Sequence, residues 1–269
     1  MGTPLHWPAE AIWEAVVADL PDFSVEVLAQ IDSTNSELMR RARAGRLEPV
    51  LLVAEQQTAG RGRMGRQWFS GPVDSAAHAA PYGGPTSLTF SLGLPLAPQD
   101  WSGLSLAVGI SVAQSLHPDL RLKWPNDLWW QARKLAGILI ETASLNTSRY
   151  LVVGIGINIT PPPAAGLATP PAWLQELLPG IAAGQALQRV AAPLIRAIKA
   201  FEQDGFLPFQ TRFNERDALS GLGVTLSDGT SGIARGVDSD GALRVQTAQG
   251  LQLISSSEVS VRPLTPQLL

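Results

Sequence analysis

The chain has 269 residues, 45% of them hydrophobic and 16% charged, with a net charge of −3. That make-up implies a sizeable core rather than a disordered chain, and the length fits one large domain or one plus a small module. The absence of cysteine excludes disulfides and thiolate zinc sites, and the acidic balance confines any nucleic-acid binding to a local basic patch. Met1–Glu10 holds neither a basic n-region nor an apolar h-region, and no apolar run reaches the ~18–20 residues of a membrane helix. The default reading is a soluble cytoplasmic protein.

In chain order, residues 9–20 read as a short helix stopping at Pro21, and Ser24–Ile31, rich in Val and Leu, as a strand. Asp32-Ser33-Thr34-Asn35 then opens a helix to Arg43, with Thr34 and Glu37 at the spacing of a capping box. Pro49–Glu55 is an apolar strand, and Gln57–Phe69 is a Gly/Arg loop. Ser70–Pro85, rich in Gly, Pro and Ala without periodicity, reads as a mobile surface insertion. Ser87–Leu94 is a strand. Trp101–Leu116 is a helix apolar nearly all round, and is therefore expected at the centre of the core.

Two short strands, Arg121–Lys123 and Leu128–Trp130, flank Trp124-Pro125-Asn126-Asp127. Lys134–Thr142 and Tyr150–Ile159 are longer strands, and a linker-like loop covers Pro161–Pro171. Ala186–Phe201 is a helix with Leu187, Val190, Leu194, Ile198 and Phe201 on one stripe, and a further helix covers Pro208–Leu219. After Gly221, short apolar strands alternate with Asp228-Gly229, Asp240-Gly241 and Gln249-Gly250, which are hairpin signals. The expected class is α+β: a mixed sheet with packed helices over residues 1–220, then a small β-barrel over 221–269 that is too small to be very stable alone.

Four constellations can carry chemistry. In Gly60-Arg61-Gly62-Arg63-Met64-Gly65-Arg66, glycines admit close backbone approach and arginines offer planar donors to phosphate or carboxylate. An anion clamp, an RNA-binding segment and a bland basic loop all fit it. Ser33-Thr34-Asn35 can bind a neutral polar group at a helix N-terminus or simply cap that helix. In Lys123-Trp124-Pro125-Asn126-Asp127 and Arg133-Lys134, Asp127 suits a metal ion and Lys134 a phosphate or carboxylate, while a turn and a surface lysine are the plain alternatives. In Gly154-Ile155-Gly156-Ile157-Asn158, alternate glycines bare one face of a strand, either for a flat ligand or for a tight packing crossing.

Taken in order, these stretches resemble the biotin protein ligase family. The likeness rests on Asp32–Asn35, Ala54–Trp68, Lys123–Asp127, Arg133–Leu139 and Gly154–Asn158, and spans residues 24–262. It implies a class II synthetase-like, biotin/lipoate-ligase fold with an SH3-like C-terminal domain. Ser33, Thr34, Asn35, Gln57, Arg61, Gly62, Arg63, Lys134 and Gly137 would then bind biotin. Arg61, Arg63, Trp68, Asn126, Asp127, Lys134, Asn158 and Arg262 would bind the nucleotide, Arg63 and Lys134 would be catalytic, and Asp127 would lie near a Mg²⁺ ion.

The implied reaction joins biotin to ATP as biotinyl-5'-AMP, then transfers biotin to a lysine of a biotin carboxyl carrier protein. The resemblance also implies a homodimer through the main sheet. Some family members carry an N-terminal helix-turn-helix domain and repress transcription. Here 23 residues precede the first strand, and the expectation is a short form with no DNA-binding role.

Overall fold

The computed structural model describes residues 7–70, 85–145, 148–162, 170–255 and 261–264. Nearly all of the expected insertion Ser70–Pro85 and most of the loop Pro161–Pro171 lie outside the described residues. The elements in order are α1 (Ala9–Val16), β1 (Ser24–Ile31), α2 (Thr34–Arg43), β2 (Val50–Gln57), β3 (Ser87–Pro95), α3 (Leu104–Leu116), β4 (Arg121–Lys123), β5 (Asp127–Trp130), β6 (Arg133–Leu145) and β7 (Ser148–Asn158). There follow α4 (Ala183–Asp204), α5 (Gln210–Arg216), β8 (Gly223–Leu226), β9 (Ser231–Val237), β10 (Leu243–Thr247), β11 (Gly250–Ile254) and β12 (Val261–Pro263). None of the described helices is long and apolar enough to cross a membrane.

Two units divide the chain. The first comprises Met1–Ala97 and Leu135–Arg196. Its strands lie in the order β1-β2-β3-β7-β6. β1 runs parallel to β2, with α2 as the crossover, and the remaining pairs are antiparallel. α2 places Leu38, Met39 and Ala42 on Val50, Leu52, Ala143, Tyr150 and Val152. Asn35 precedes those residues by three, four and seven positions, so helical periodicity turns it to the same buried face.

Two local readings of this unit need correction. The regular part of α1 ends at Val16 rather than residue 20, because its last turn loosens ahead of Pro21, which disfavours helical backbone before it. The cap of α2 is Ser33, whose hydroxyl accepts from Ser36 N at 3.3 Å. The proposed Thr34/Glu37 capping box does not form, since Thr34 is already helical and Glu37 pairs with Arg40 and Arg41.

The second unit comprises Pro98–Lys134 and Ala197–Leu269. α3 is buried on almost every side, from Leu104 and Leu106 to Ala113 and Leu116, as its composition demanded. It starts later than Trp101 because Gly103 turns with φ 78°. β4 and β5 form an antiparallel ribbon closed by the cis Trp124–Pro125 bond. The fully buried Trp124 donates Nε1–H to Gly241 O at 3.1 Å. The C-terminal strands form an SH3-like antiparallel sheet in the order β11-β10-β9-β8-β12. Both Asp-Gly pairs lie in its turns, with Gly229 and Gly241 at φ 89° and 81°. α5 is tied to this sheet by Asn214, which accepts from Val237 N at 2.9 Å, and by Gln210, which donates to Val237 O at 3.0 Å.

Candidate functional site

The expected site residues fall into two groups, one in each unit. In the first, Ser33, Thr34 and Asn35 are buried although all are polar. Burial of such groups is tolerable only when hydrogen bonds replace water. Thr34 N and Oγ1 both donate to Gln57 Oε1, at 2.8 and 3.1 Å. The Ser91 hydroxyl lies 2.7 Å from Thr34 Oγ1 and 2.6 Å from Asn35 Oδ1, and its single proton serves one of them at a time. Asn35 Nδ2 donates to Leu139 O at 3.3 Å and to Glu141 Oε2 at 3.0 Å. Ser33 thus does the capping, which frees Thr34 and Asn35 to build an inward polar row. Asp32 stays outside this row. The Arg40 guanidinium beside it holds its carboxyl down at about 2.

The alternate glycines of β7 explain how the row fits. A Cβ at Gly154 would collide with the Asn35 amide, and one at Gly156 would collide with the Trp68 indole. Gly156 sits opposite Gly137 on β6 and Thr89 on β3. The bare face expected for a flat ligand is therefore occupied by this chain's own Asn35 and Trp68. At the strand end, buried Asn158 donates to Ala172 O at 2.9 Å.

The Gly/Arg loop folds back on itself. Gly62 N donates to Arg66 O at 2.7 Å, Trp68 N donates to Gly60 O at 2.9 Å, and Arg61 bridges to Gln67. Arg63–Gly65 forms a single turn with Met64 and Gly65 at φ 56° and 70°. At Gly60 a Cβ would strike Trp68 O, so only glycine permits this closure. Arg61 Nη2 bonds the Glu141 carboxylate at 2.9 and 3.0 Å.

The second group is charged. Lys134 Nζ stands 2.8 Å from Asp127 Oδ1, and Lys123 Nζ stands 4.0 Å from Asp127 Oδ2 and 5.3 Å from the Trp129 ring centre. The Arg133 guanidinium lies 5.0 Å from the Trp130 ring. Asn126 belongs to the turn between β4 and β5. Arg262 lies exposed on β12, opposite Thr225. The metal expectation at Asp127 fits poorly, because two ammonium groups already face that carboxylate. Among the described residues, no group of three or more His, Cys, Asp or Glu can hold a metal ion.

Two side chains central to the first group escaped sequence reasoning. Ser91 left a signal: Ser87, Thr89 and Ser91 alternate along an otherwise apolar strand, and all three are buried. Thr89 uses its hydroxyl on Ala54 O at 2.9 Å, whereas Ser91 turns to Thr34 and Asn35. Glu141 was visible only as one acid in an apolar strand. Its partners, Arg61 and Asn35, are far away in sequence.

Residues 83–158 match the model of the biotin/lipoate A/B protein ligase family, and residues 223–262 match the biotin protein ligase C-terminal domain. The chain is 37% identical over 264 residues to the bifunctional ligase/repressor BirA of Escherichia coli, with 92% of this chain and 77% of that protein covered. It is 33% identical over 253 residues to the biotin–[acetyl-CoA-carboxylase] ligase of Mycobacterium tuberculosis, with 87% and 88% covered. The structure of biotin protein ligase from Aquifex aeolicus in complex with biotin and ATP superposes with a TM-score of 0.73 at 27% identity, over 89% of this chain and 98% of that one. Fold and matches together define a ligase enzyme with an SH3-like C-terminal module. The chain belongs to the biotin protein ligase family.

Proposed function

We propose that this chain activates biotin with ATP to biotinyl-5'-AMP and then transfers biotin to a lysine of a biotin carboxyl carrier protein. The observation that carries this reading is the buried row Gln57–Thr34–Ser91–Asn35. It is neutral, rich in paired donors and acceptors, and cradled by glycine, which suits a ureido ring. A lipoate or octanoyl chain has no ureido group to exchange hydrogen bonds with that row, so the row favours biotin over such a chain.

In the first step a biotin carboxylate oxygen attacks the α-phosphorus, and the bond to pyrophosphate breaks. In the second, the acceptor amine attacks the acyl carbon, releases AMP and loses a proton. Both partners of the first step are anions, so positioning and charge compensation dominate the barrier. We assign Lys134, oriented by Asp127, to the carboxylate and the α-phosphate. Arg61 and Arg63, with Gly62 and Trp68, form the lid over biotin and the adenylate, and Gly137 lets the ligand approach the sheet. Asn126, Asn158 and Arg262 are assigned to the nucleotide. Asp127 positions Lys134 and Lys123 rather than a cation. A Mg²⁺ requirement would then be carried chiefly by the phosphates of ATP. Residues 1–220 are assigned the ligase role and 221–269 the SH3-like module.

The deciding measurement is ATP–pyrophosphate exchange with biotin and with lipoate in turn. Exchange driven by biotin alone, followed by ATP-dependent labelling of a carrier domain, is the expected result. Exchange driven by lipoate and not biotin overturns it, and biotin binding without exchange would make the chain a sensor. Arg63→Ala is expected to release the adenylate faster than the parent protein, because the lid no longer shields it. Retention equal to the parent's would remove Arg63 from the lid.

The proposal extends to a cytoplasmic homodimer without transcriptional repression. Light scattering tests the first point. Binding to operator DNA in the presence of biotin and ATP, with salt varied, tests the second.

A further inference from the structure

We propose that Glu141 is the catch of the arginine loop and the positioning residue for the Asn35 amide, so that loop position and the ligand-reading row form one linked device. The inference rests on reading the row as the biotin site. Its first test needs no ligand.

Glu141 lies on β6 opposite Val152. Its Oε2 accepts from Arg61 Nη2 at 2.9 Å and from Asn35 Nδ2 at 3.0 Å. One carboxylate oxygen therefore joins the loop to the buried row. An exposed ion pair alone contributes little, and Arg61 is 46% exposed. What sets this pair apart is the second bond, because Asn35 is almost wholly buried.

The orientation of Asn35 follows from its three partners. Nδ2 faces two acceptors, Glu141 Oε2 and Leu139 O, while Oδ1 faces the Ser91 hydroxyl. A flipped amide would set its oxygen against the carboxylate, lone pair to lone pair. Glu141 therefore fixes the amide and limits what the Ser91 hydroxyl can do. Ser91 lies equally close to Thr34, which bonds Gln57. The chain of bonds Arg61–Glu141–Asn35–Ser91–Thr34–Gln57 carries a charge at one end and neutral groups at the other. Within such a network each bond polarises the next.

Arg61 reaches the carboxylate through one terminal nitrogen. A guanidinium has five N–H donors in a fork, so Arg61 keeps Glu141 and still offers donors to an anionic ligand. A loop that swings away leaves Glu141 facing Asn35 without its cation. By linkage, a ligand that needs the ordered row favours the caught loop, and the caught loop favours the ligand.

Glu141→Gln keeps the length and one acceptor oxygen but loses the charge. In the absence of ligand, trypsin is expected to cut after Arg61 several-fold faster in this variant than in the parent, at unchanged melting temperature. Equal cleavage rates would overturn the catch. Glu141→Asp, which keeps the charge, is expected to restore part of the protection.

For the linkage, biotin affinity is measured for Arg61→Ala, Glu141→Gln and the double variant. Each single change is expected to weaken binding several-fold, and the double to bind no worse than Arg61→Ala alone. Losses that multiply in the double variant would show that the two residues act independently. If the parent protein binds no biotin, the ligand reading fails, and the cleavage comparison still decides the catch.

Discussion

The two groups of polar residues differ in kind. The row at the start of α2 is buried and mostly neutral, and short hydrogen bonds hold each member in one orientation. The ribbon β4–β5 and the start of β6 carry Lys123, Asp127, Arg133 and Lys134, with indole rings under two of the cations. The first arrangement suits recognition of a neutral ring by matched donors and acceptors. The second suits control of anionic charge during a reaction. Under the proposed function, the first would bind and the second would carry the chemistry.

The sharpest way to break that division is Lys134→Ala. Pyrophosphate exchange is expected to fall by about 10²–10³, as when one preorganised donor to developing charge is removed, while biotin affinity changes far less. A variant that lost only biotin affinity would merge the two roles.

The converse change is Gly154→Val. Its side chain would occupy the place of the Asn35 amide. Displacing that amide removes a hydrogen-bonding partner from the row, and about 1–1.4 kcal/mol lost on binding is roughly a 5- to 10-fold rise in the biotin Kd. Calorimetric binding at the parent's affinity would dismiss the row as the ligand reader.

A smaller effect concerns the support of the charged group. Asp217 pairs with Leu122 of β4 as an isolated bridge, and Ala218 N donates to Leu122 O at 2.9 Å. Asp217 Oδ1 accepts from Leu219 N at 2.8 Å, while Oδ2 is buried with no hydrogen-bond partner among the described residues. Burial pushes this carboxyl from an ordinary 3.8 up to about 6. The folded state then holds the proton more tightly than the unfolded chain. The stability it contributes is complete below the unfolded value and is lost as pH rises from about 4 through about 6. Asp217→Asn is expected to stabilise the protein by about 1–3 kcal/mol at pH 8 and to have little effect below pH 4. Denaturant titrations at both pH values measure this, and equal shifts at both would remove the charge from the explanation.

Much of this was legible from residues alone. Richness in Val and Leu located β1, the apolar circumference of Trp101–Leu116 announced a central helix, and Asp-Gly pairs marked the hairpins of the C-terminal sheet. The Gly/Arg loop and the pair Asp127/Lys134 were identifiable because their chemistry is local in sequence. Element ends were less so, since they depend on particular partners. β6 runs three residues past the expected Thr142 because its antiparallel register with β7 continues to Leu145.

What the sequence by itself determined was the periodicity of the elements, the glycines that admit close approach and the residue types able to serve an anion or a ureido ring. The tertiary structure alone decided how those residues are used. It gave the cap to Ser33, turned Asn35 inward over Gly154 and laid Trp68 on Gly156. It also brought Ser91 and Glu141 into the row. The physical reason is separation along the chain: Arg61 and Asn35 meet one carboxylate about 80 and 106 residues away. A contact across that distance exists only once the sheet has set β6 beside β7 and α2 has packed against their face.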